Sequence, residues 1–283
     1  MNKTTLKSVM IAIVAVAIIV SIIYFTKKLQ YVSQPIPAYN VAEHIEQRAV
    51  DEITGKDFLE DHDAYLSIMK DLKTETSVKL ADGSWNMNSG DISNALQTLF
   101  AQYAPVLVDF GKDYFTKSSW DDRTVNCLLD DGQWLQKMEF AESGSELSTD
   151  LAAVVKYAGE YKAARQVVSS ASKCASVGEI ATIKQKAASF LHEPLTNNIA
   201  LVKDLKAAES VARASVVSNI ASFCNGVASK WRGYGTYVKW YAAYEQALGR
   251  ISECGKKLGQ NSALSQAKAA LENADRNALN YYN

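Results

Sequence analysis

The feature that most limits the folds open to this chain is a long stripe of apolar residues at helical spacing in its C-terminal half. Nine positions follow one another in steps of three or four residues only: Leu201, Leu205, Ala208, Ala212, Val216, Ile220, Phe223, Val227 and Trp231. Residues at these steps lie on one face of an α-helix. The pattern therefore predicts a long amphipathic helix that buries one face.

Similar stripes occur elsewhere, and no segment alternates clearly with the period of two that a strand requires. The stripes comprise Ile92, Leu96, Leu99, Tyr103, Leu107, Phe110 and Tyr114; Leu151, Val154, Ala158, Tyr161 and Val168; Tyr237, Tyr241, Tyr244, Leu248, Ile251 and Leu258; and Leu264, Ala267, Leu271, Ala274, Ala278 and Tyr282. Many of these positions are alanine and the loops between them are short. We expect an all-α fold in which the helices form an elongated antiparallel bundle.

Polar residues mark where these helices start. A weaker helical pattern covers 41–73, and a turn-rich loop at 81–90 ends in Asp91, which we expect to be an N-cap. Another helix is expected over 120–140, with Asp121 at its start, where the helix dipole favours negative charge. The residues at 148–150 are expected to cap the helix that follows.

The N-terminus carries an uncharged, mostly apolar stretch from Ser8 to Thr26. It exceeds the roughly 18 residues needed to cross a bilayer core. A cleaved signal peptide is the alternative, but the stretch is longer than the usual apolar region of such peptides and has no small-x-small cleavage site. We expect a short cytoplasmic tail at 1–7, a transmembrane helix at 8–26, a proline-containing juxtamembrane tether at 27–40 and an extracytoplasmic helical-bundle domain at 41–283.

The charge balance and the cysteine content indicate which partners and which cellular compartment to expect. With 30 basic and 31 acidic residues, the chain lacks the basic excess that nucleic-acid binding requires. Its four cysteines, Cys127, Cys174, Cys224 and Cys254, are even in number and show no C-x-x-C spacing. We therefore predict two disulfides in an oxidising compartment, with four buried free thiols as the alternative. The scarcity of glycosylation sequons favours a bacterial envelope, with the domain in the periplasm.

Catalytic and metal-binding patterns are weak. His62 stands in the acidic run 60–63, which we interpret as a solvated helix face because adjacent helical residues point to different sides. The pair Asp130 and Asp131 lacks the order of a calcium loop. Two Ser-x-x-Lys matches, at 67–70 and 170–173, lack the elements that accompany them in serine acyl enzymes. We expect no metal and no cofactor, and no residue can be named as catalytic.

Six aromatic residues cluster around a Gly-x-Gly turn: Trp231, Tyr234, Tyr237, Trp240, Tyr241 and Tyr244. Helical spacing assigns Trp231, Tyr237, Tyr241 and Tyr244 to the core. Trp240 shares a side with Tyr237 and Tyr244, so a core position is open to it as well. Tyr234 lies in the turn and should be the most exposed. The cluster either closes one end of the bundle or carries a partner site. In the second case its residues would be Tyr234, Trp240 and Arg232, since tyrosine, tryptophan and arginine are enriched at binding hot spots.

Three functions fit these patterns. The first is a structural or adaptor component of the cell envelope, held at the membrane and binding another envelope protein. The second is a ligand-sensing bundle, which would signal through another protein because only seven residues precede the predicted span. The third is an envelope hydrolase. The anchor, the tether, the long stripes and the weak catalytic patterns favour the adaptor.

Overall fold

The computed structural model describes residues 38–79 and 87–282 of the chain. The predicted cytoplasmic tail, the predicted transmembrane helix at 8–26 and most of the predicted tether lie outside these residues. Among the helices that are described, none is long and apolar enough to cross a membrane.

The described part of the chain is all-α, as predicted, with nine α-helices and no β-strand. The helices are α1 (Ala38–Glu52), α2 (Phe58–Glu75), α3 (Ser89–Tyr114), α4 (Asp122–Met138), α5 (Glu146–Ala171), α6 (Val177–Ser189), α7 (Ile199–Ser229), α8 (Tyr237–Leu258) and α9 (Ser262–Tyr282). Single 3-10 turns, Leu195–Asn197 and Trp231–Tyr234, precede α7 and α8. The chain divides into two compact units, whose boundary lies between Gly159 and Glu160 inside α5.

The N-terminal unit contains α1 to α4 and the first part of α5. Helix α3 packs against α1, α2 and α4. Two glycines, one on α3 and one on α4, allow these helices to lie close to α5. A Cβ atom on Gly132 of α4 would lie 2.5 Å from Cγ2 of Val155, and one on Gly111 of α3 would lie 2.7 Å from Cγ1 of Val154. Both distances are too short for an added methyl group, so the contacts of α3 and α4 with α5 depend on glycine.

The C-terminal unit contains the rest of α5 and helices α6 to α9. Its central element is α7, the helix predicted from the nine-position stripe, which packs against α6, α8 and α9. The stripes predicted for α7 and α9 are largely buried, and much of the buried surface is alanine: Ala208, Ala212, Ala247, Ala267, Ala274 and Ala278 are each at most 4 % exposed. We call these six residues the alanine seam. Side chains this small allow helix axes to approach closely.

The single helix predicted over 41–73 is in fact two helices. The break between α1 and α2 contains Gly55, whose φ of 73° is in the left-handed region. The buried carboxylate of Asp61 accepts hydrogen bonds from the backbone N–H groups of Thr54 (2.7 Å) and Gly55 (3.0 Å). This side chain satisfies amide groups that a continuous helix would have bonded internally.

Helix starts differ from the predictions in two places. The N-cap of α3 is Asn88 rather than Asp91, which instead completes a capping box as the third residue of the helix. Helix α5 begins at Glu146, so residues 148–150 lie inside it and do not cap it. The role expected for Asp121 is confirmed, because its side chain accepts a hydrogen bond of 2.8 Å from the N–H of Thr124 at the start of α4.

Candidate functional site

The residues predicted to bind a partner lie where the turn Trp231–Tyr234 meets the end of α9 and the start of α8. The hydroxyl of Tyr282 donates to the carbonyl oxygens of Trp231 (3.2 Å) and Arg232 (3.1 Å). The rings of Trp231 and Tyr281 meet edge to face, with centroids 5.5 Å apart. We call the surface formed by 231–234, 237–241 and 279–282 the aromatic end. Its backbone and rings are held in place by contacts between the turn and α9.

Several large side chains of the aromatic end remain open to solvent. Tyr281 is 63 % exposed, Val238 78 % and Leu279 41 %. The guanidinium of Arg232 is also exposed, and it lies over the Trp231 ring at 5.0 Å and near the Tyr281 ring at 6.0 Å. An exposed arginine held against two aromatic rings is an arrangement that is common at binding hot spots.

The structure changes the assignment of individual aromatic residues. Trp240, which the sequence allowed either in the core or in a partner site, is fully buried, and its Nε1 donates to Asp275 at 3.2 Å. Tyr241, predicted to lie in the core, is 40 % exposed. Tyr234 is half-buried and its ring meets that of Trp240 edge to face. Trp240 therefore cannot contact a partner from within the unit, whereas Arg232 and part of Tyr234 are accessible.

The four cysteines are free thiols in the structure, so the two predicted disulfides find no support there. Their Sγ atoms lie next to other groups. Cys174 approaches the carbonyl of Ser176 (3.4 Å), and Cys224 approaches that of Ala247 (3.6 Å). Cys254 is buried, and Cys127 is the one thiol of the four that is half-exposed.

Cys127 belongs to a second polar site, in the N-terminal unit. Its Sγ lies 3.4 Å from Nε2 of His62, and Nδ1 of the same imidazole lies 2.6 Å from Oδ2 of Asp131. The hydroxyl of Tyr103 donates to that same carboxylate oxygen at 2.7 Å. We call these four residues the His62 cluster. Thiol, imidazole and carboxylate follow one another in the order that nucleophilic cysteine sites use.

Aromatic rings enclose the carboxylate end of the His62 cluster. Tyr65 stacks on Tyr103 with ring centroids 4.3 Å apart, and Trp134 meets Tyr65 edge to face at 5.7 Å. Asp131 is 6 % exposed and His62 9 %. A charge pair this far from water is retained only where hydrogen bonds satisfy it, as Tyr103 and His62 do here.

This environment shifts the titration of its members. The hydrogen bond to Asp131 raises the pKa of His62 above its ordinary value of 6.5, and this effect outweighs the opposing effect of burial. Burial, followed by the negative charge of Asp131, raises the pKa of the Cys127 thiol. Burial also raises the pKa of Tyr103, so its hydroxyl remains a hydrogen-bond donor at neutral pH.

The sequence interpretation of His62 as part of a solvated face is wrong, because His62 and Asp61 are both buried. A signal was present in the spacing. His62 is four residues after Phe58 and three before Tyr65, both of which are buried on α2. Asp131 likewise lies three residues after Leu128 and four before Leu135 on α4. Both polar residues thus occupy the apolar faces of their helices.

The His62 cluster does not have the geometry of a metal site. Asp131 and Cys127 contact opposite nitrogens of the imidazole, so one cation cannot bind all three side chains. No other group of at least three histidine, cysteine or acidic residues in the described ranges is arranged to hold a metal ion.

The serines of the two Ser-x-x-Lys matches are engaged elsewhere. The hydroxyl of Ser67 accepts a hydrogen bond from Arg48 (3.2 Å), and that of Ser170 donates to the carbonyl of Gln166 (2.8 Å) in its own helix. No protein-family model, curated protein or solved structure is significantly similar to this chain.

Proposed function

We propose that the protein is a membrane-anchored adaptor of the cell envelope, whose elongated antiparallel helical bundle lies outside the cytoplasm and binds another envelope protein through the aromatic end. The observation that carries this proposal is the exposed ring of Tyr281, with the guanidinium of Arg232 lying 6.0 Å from its centre. The uncharged stretch from Ser8 to Thr26 supports the anchor.

The construction of the aromatic end favours binding over a purely structural role. The ring of Tyr281 is 63 % exposed while it meets Trp231 edge to face, so its outer side is available to a partner. The hydroxyl of Tyr282 shares its proton between the carbonyl oxygens of Trp231 and Arg232, which ties the turn to the end of α9. Binding to a surface that is already ordered loses little conformational entropy.

The side chains of this surface indicate the chemistry of the partner. The ring of Tyr281 offers apolar contact area, and the exposed side chains of Lys230 and Arg232 add positive charge. We expect the partner to present a protein segment that combines acidic side chains with aliphatic or aromatic ones. A carboxylate could pair with Arg232 while an apolar side chain packs on Tyr281.

Site-specific crosslinking in intact cells tests the binding proposal. A photoreactive phenylalanine derivative at Tyr281 should give a discrete adduct with one envelope protein. The same derivative at Val211, a 39 % exposed position near the middle of α7, is the matched control and should give none. Adding Arg232→Ala should weaken the adduct without lowering the melting temperature, because a hot-spot arginine contributes about 2 kcal/mol or more to affinity. Equal labelling at both positions, or none at Tyr281, would contradict the proposal.

Topology is tested separately. In spheroplasts with intact membranes, added protease should digest the region that follows residue 27. Digestion only after the membrane is broken would place this region in the cytoplasm and remove the extracytoplasmic part of the proposal. The crosslinking result would still decide whether the aromatic end binds a protein.

A further inference from the structure

We propose that Cys127 is a nucleophilic thiol that His62 activates for exchange with small-molecule disulfides, which makes it a site of reversible mixed-disulfide formation. This proposal does not depend on the adaptor function, because the His62 cluster lies wholly in the N-terminal unit. It rests on the positions of three side chains from two helices, α2 and α4, and on the difference in exposure among the four thiols.

The geometry provides a route for the thiol proton. Because the carboxylate of Asp131 can only accept, Nδ1 of His62 carries a proton and donates it at 2.6 Å. The remaining nitrogen, Nε2, faces the Sγ of Cys127 at 3.4 Å. In the neutral imidazole this nitrogen is an acceptor, so it can take the thiol proton as the sulfur attacks. Asp131 acts as a positioning residue, since it fixes both the tautomer and the orientation of the ring.

The exchange balances without a further reactant. The Cys127 sulfur forms a bond to one sulfur of the disulfide R–S–S–R, and the bond between its two sulfurs breaks. His62 takes the thiol proton and passes it to the leaving thiolate. The products are a mixed disulfide, Cys127–S–S–R, and one thiol, R–SH. Cysteine is oxidised and one sulfur of the small molecule is reduced, and a second thiol reverses the reaction.

Access separates Cys127 from the other thiols. Cys127 is half-exposed, whereas Cys174, Cys224 and Cys254 are buried. Thiol reactivity requires both access and a route for proton removal. Cys127 combines both, so it should react first in the folded chain.

The charges around the cluster favour a reaction that depends on pH. Asp63 on α2 and Asp131 on α4 raise the pKa of His62, while Arg123 on α4 lowers it. Burial, then Asp131 and, more weakly, Asp130 and Asp63 raise the pKa of the Cys127 thiol, and the charge of Arg123 lowers it. From α3, Tyr103 faces the carboxylate of Asp131 with a neutral hydroxyl.

The arrangement favours attack on sulfur over the acyl transfer of cysteine hydrolases. Acyl transfer needs backbone N–H groups that stabilise an oxyanion next to the nucleophile. Cys127 is an interior residue of α4, so its own N–H is bonded to the carbonyl four residues earlier. Attack on a disulfide develops no oxyanion and needs only the thiolate and access to it.

The test measures disulfide exchange in the full-length folded chain. Oxidised glutathione is added across a pH series, and mass spectrometry follows the mixed disulfide at each cysteine. We expect a single early adduct at Cys127 that Cys127→Ser removes. Because only neutral His62 can accept the thiol proton, the rate should rise with pH as His62 loses its proton, in a step above the ordinary imidazole pKa of 6.5. Replacing His62 with glutamine should slow the rate at pH 7.5 by at least about tenfold, as loss of a general base does.

Two further variants separate activation from a structural role of the ion pair. Asp131→Asn should move the step to lower pH, because the lost negative charge no longer raises the pKa values of His62 and Cys127. His192→Gln, at an exposed histidine of the other unit, is the matched control and should leave the profile unchanged. Modification of the buried cysteines at the rate of Cys127, or a Cys127 rate that rises only in the range of an ordinary thiol, would overturn the proposal. The wild-type profile decides this point even if a variant does not fold.

Discussion

Nδ1 of His62 on α2 and Oδ2 of Asp131 on α4 lie 2.6 Å apart, although the two residues are 69 positions apart in the chain. The contact joins two helices of the N-terminal unit through a short, buried, charged hydrogen bond. Removing one partner of such a pair leaves the other charge buried without compensation, which costs far more than the pair itself contributes. The effect of mutation should therefore depend on which partner is removed and on what replaces it.

Replacing His62 with alanine should destabilise the N-terminal unit by about 3–5 kcal/mol, because the carboxylate of Asp131 would stay buried with only the Tyr103 hydroxyl as a partner. Chemical denaturation followed by hydrogen exchange in α2 and α4 measures this loss. His192→Ala, which removes an exposed imidazole from the other unit, is the control and should change stability by about 0.5 kcal/mol or less. Equal effects of the two substitutions would show that the buried pair has no special role.

The stability of the N-terminal unit should fall as the pH rises above 6.5. The pKa of His62 is raised in the folded chain above its ordinary value of 6.5. A group of this kind stabilises the fold fully below its unfolded pKa, and this contribution is lost as the pH rises through the folded pKa. The melting temperature, measured between pH 6 and pH 9 under conditions where unfolding is reversible, should show this loss of stability. In His62→Gln the fall should be smaller; an identical profile would rule out His62 as its source.

Gly132→Ala should destabilise the chain although alanine is the better helix former. The added Cβ would lie 2.5 Å from Cγ2 of Val155, and this crowding should cost about 1–3 kcal/mol. Gly249 on α8 has no neighbouring atom within 4 Å of the same position, so Gly249→Ala should raise stability by up to about 1 kcal/mol. If Gly132 lies this close to Val155, the two substitutions should change the melting temperature in opposite directions. Changes in the same direction would contradict the contact.

Trp240 and Tyr241 should respond very differently to truncation. Trp240 is fully buried and hydrogen-bonded to Asp275, so Trp240→Ala should cost about 3–5 kcal/mol. Tyr241 is 40 % exposed, and Tyr241→Ala should cost about 1 kcal/mol or less. Denaturant titration of both variants checks the order. A larger loss of stability for Tyr241→Ala than for Trp240→Ala would contradict this burial and support the core position that spacing predicts for Tyr241.

The helices of the C-terminal unit could be predicted from sequence because their apolar residues repeat over many turns. Helix α6 was not predicted, since it buries only Ile180, Ile183 and Ala187, too few positions for a clear period. The break between α1 and α2 was also missed. It depends on the buried carboxylate of Asp61 bonding to Thr54 and Gly55, which composition does not reveal.

The sites were harder to predict than the helices. The aromatic cluster was visible in the sequence, but a stripe with steps of three and four fits both Tyr241 and Trp240 as the inward residue. Packing against Asp275 of α9 selects Trp240, and this contact is not encoded in local spacing. The positions of His62 and Asp131 on apolar faces could be read from the sequence. Their pairing with each other and with Cys127 depends on how α2 and α4 meet.

The alanine seam has a consequence for how this chain can diverge. Ala212, Ala267 and Ala278 are fully buried, so a larger side chain at any of them would crowd its neighbours, and the harmful substitutions there are those that add volume. Bulky residues elsewhere in the core can exchange for one another with local repacking. Distant relatives of the C-terminal unit should therefore retain small residues at these buried positions more often than they retain any particular aromatic or aliphatic residue. A sequence search that gives weight to the spacing of these small residues is best suited to finding such relatives.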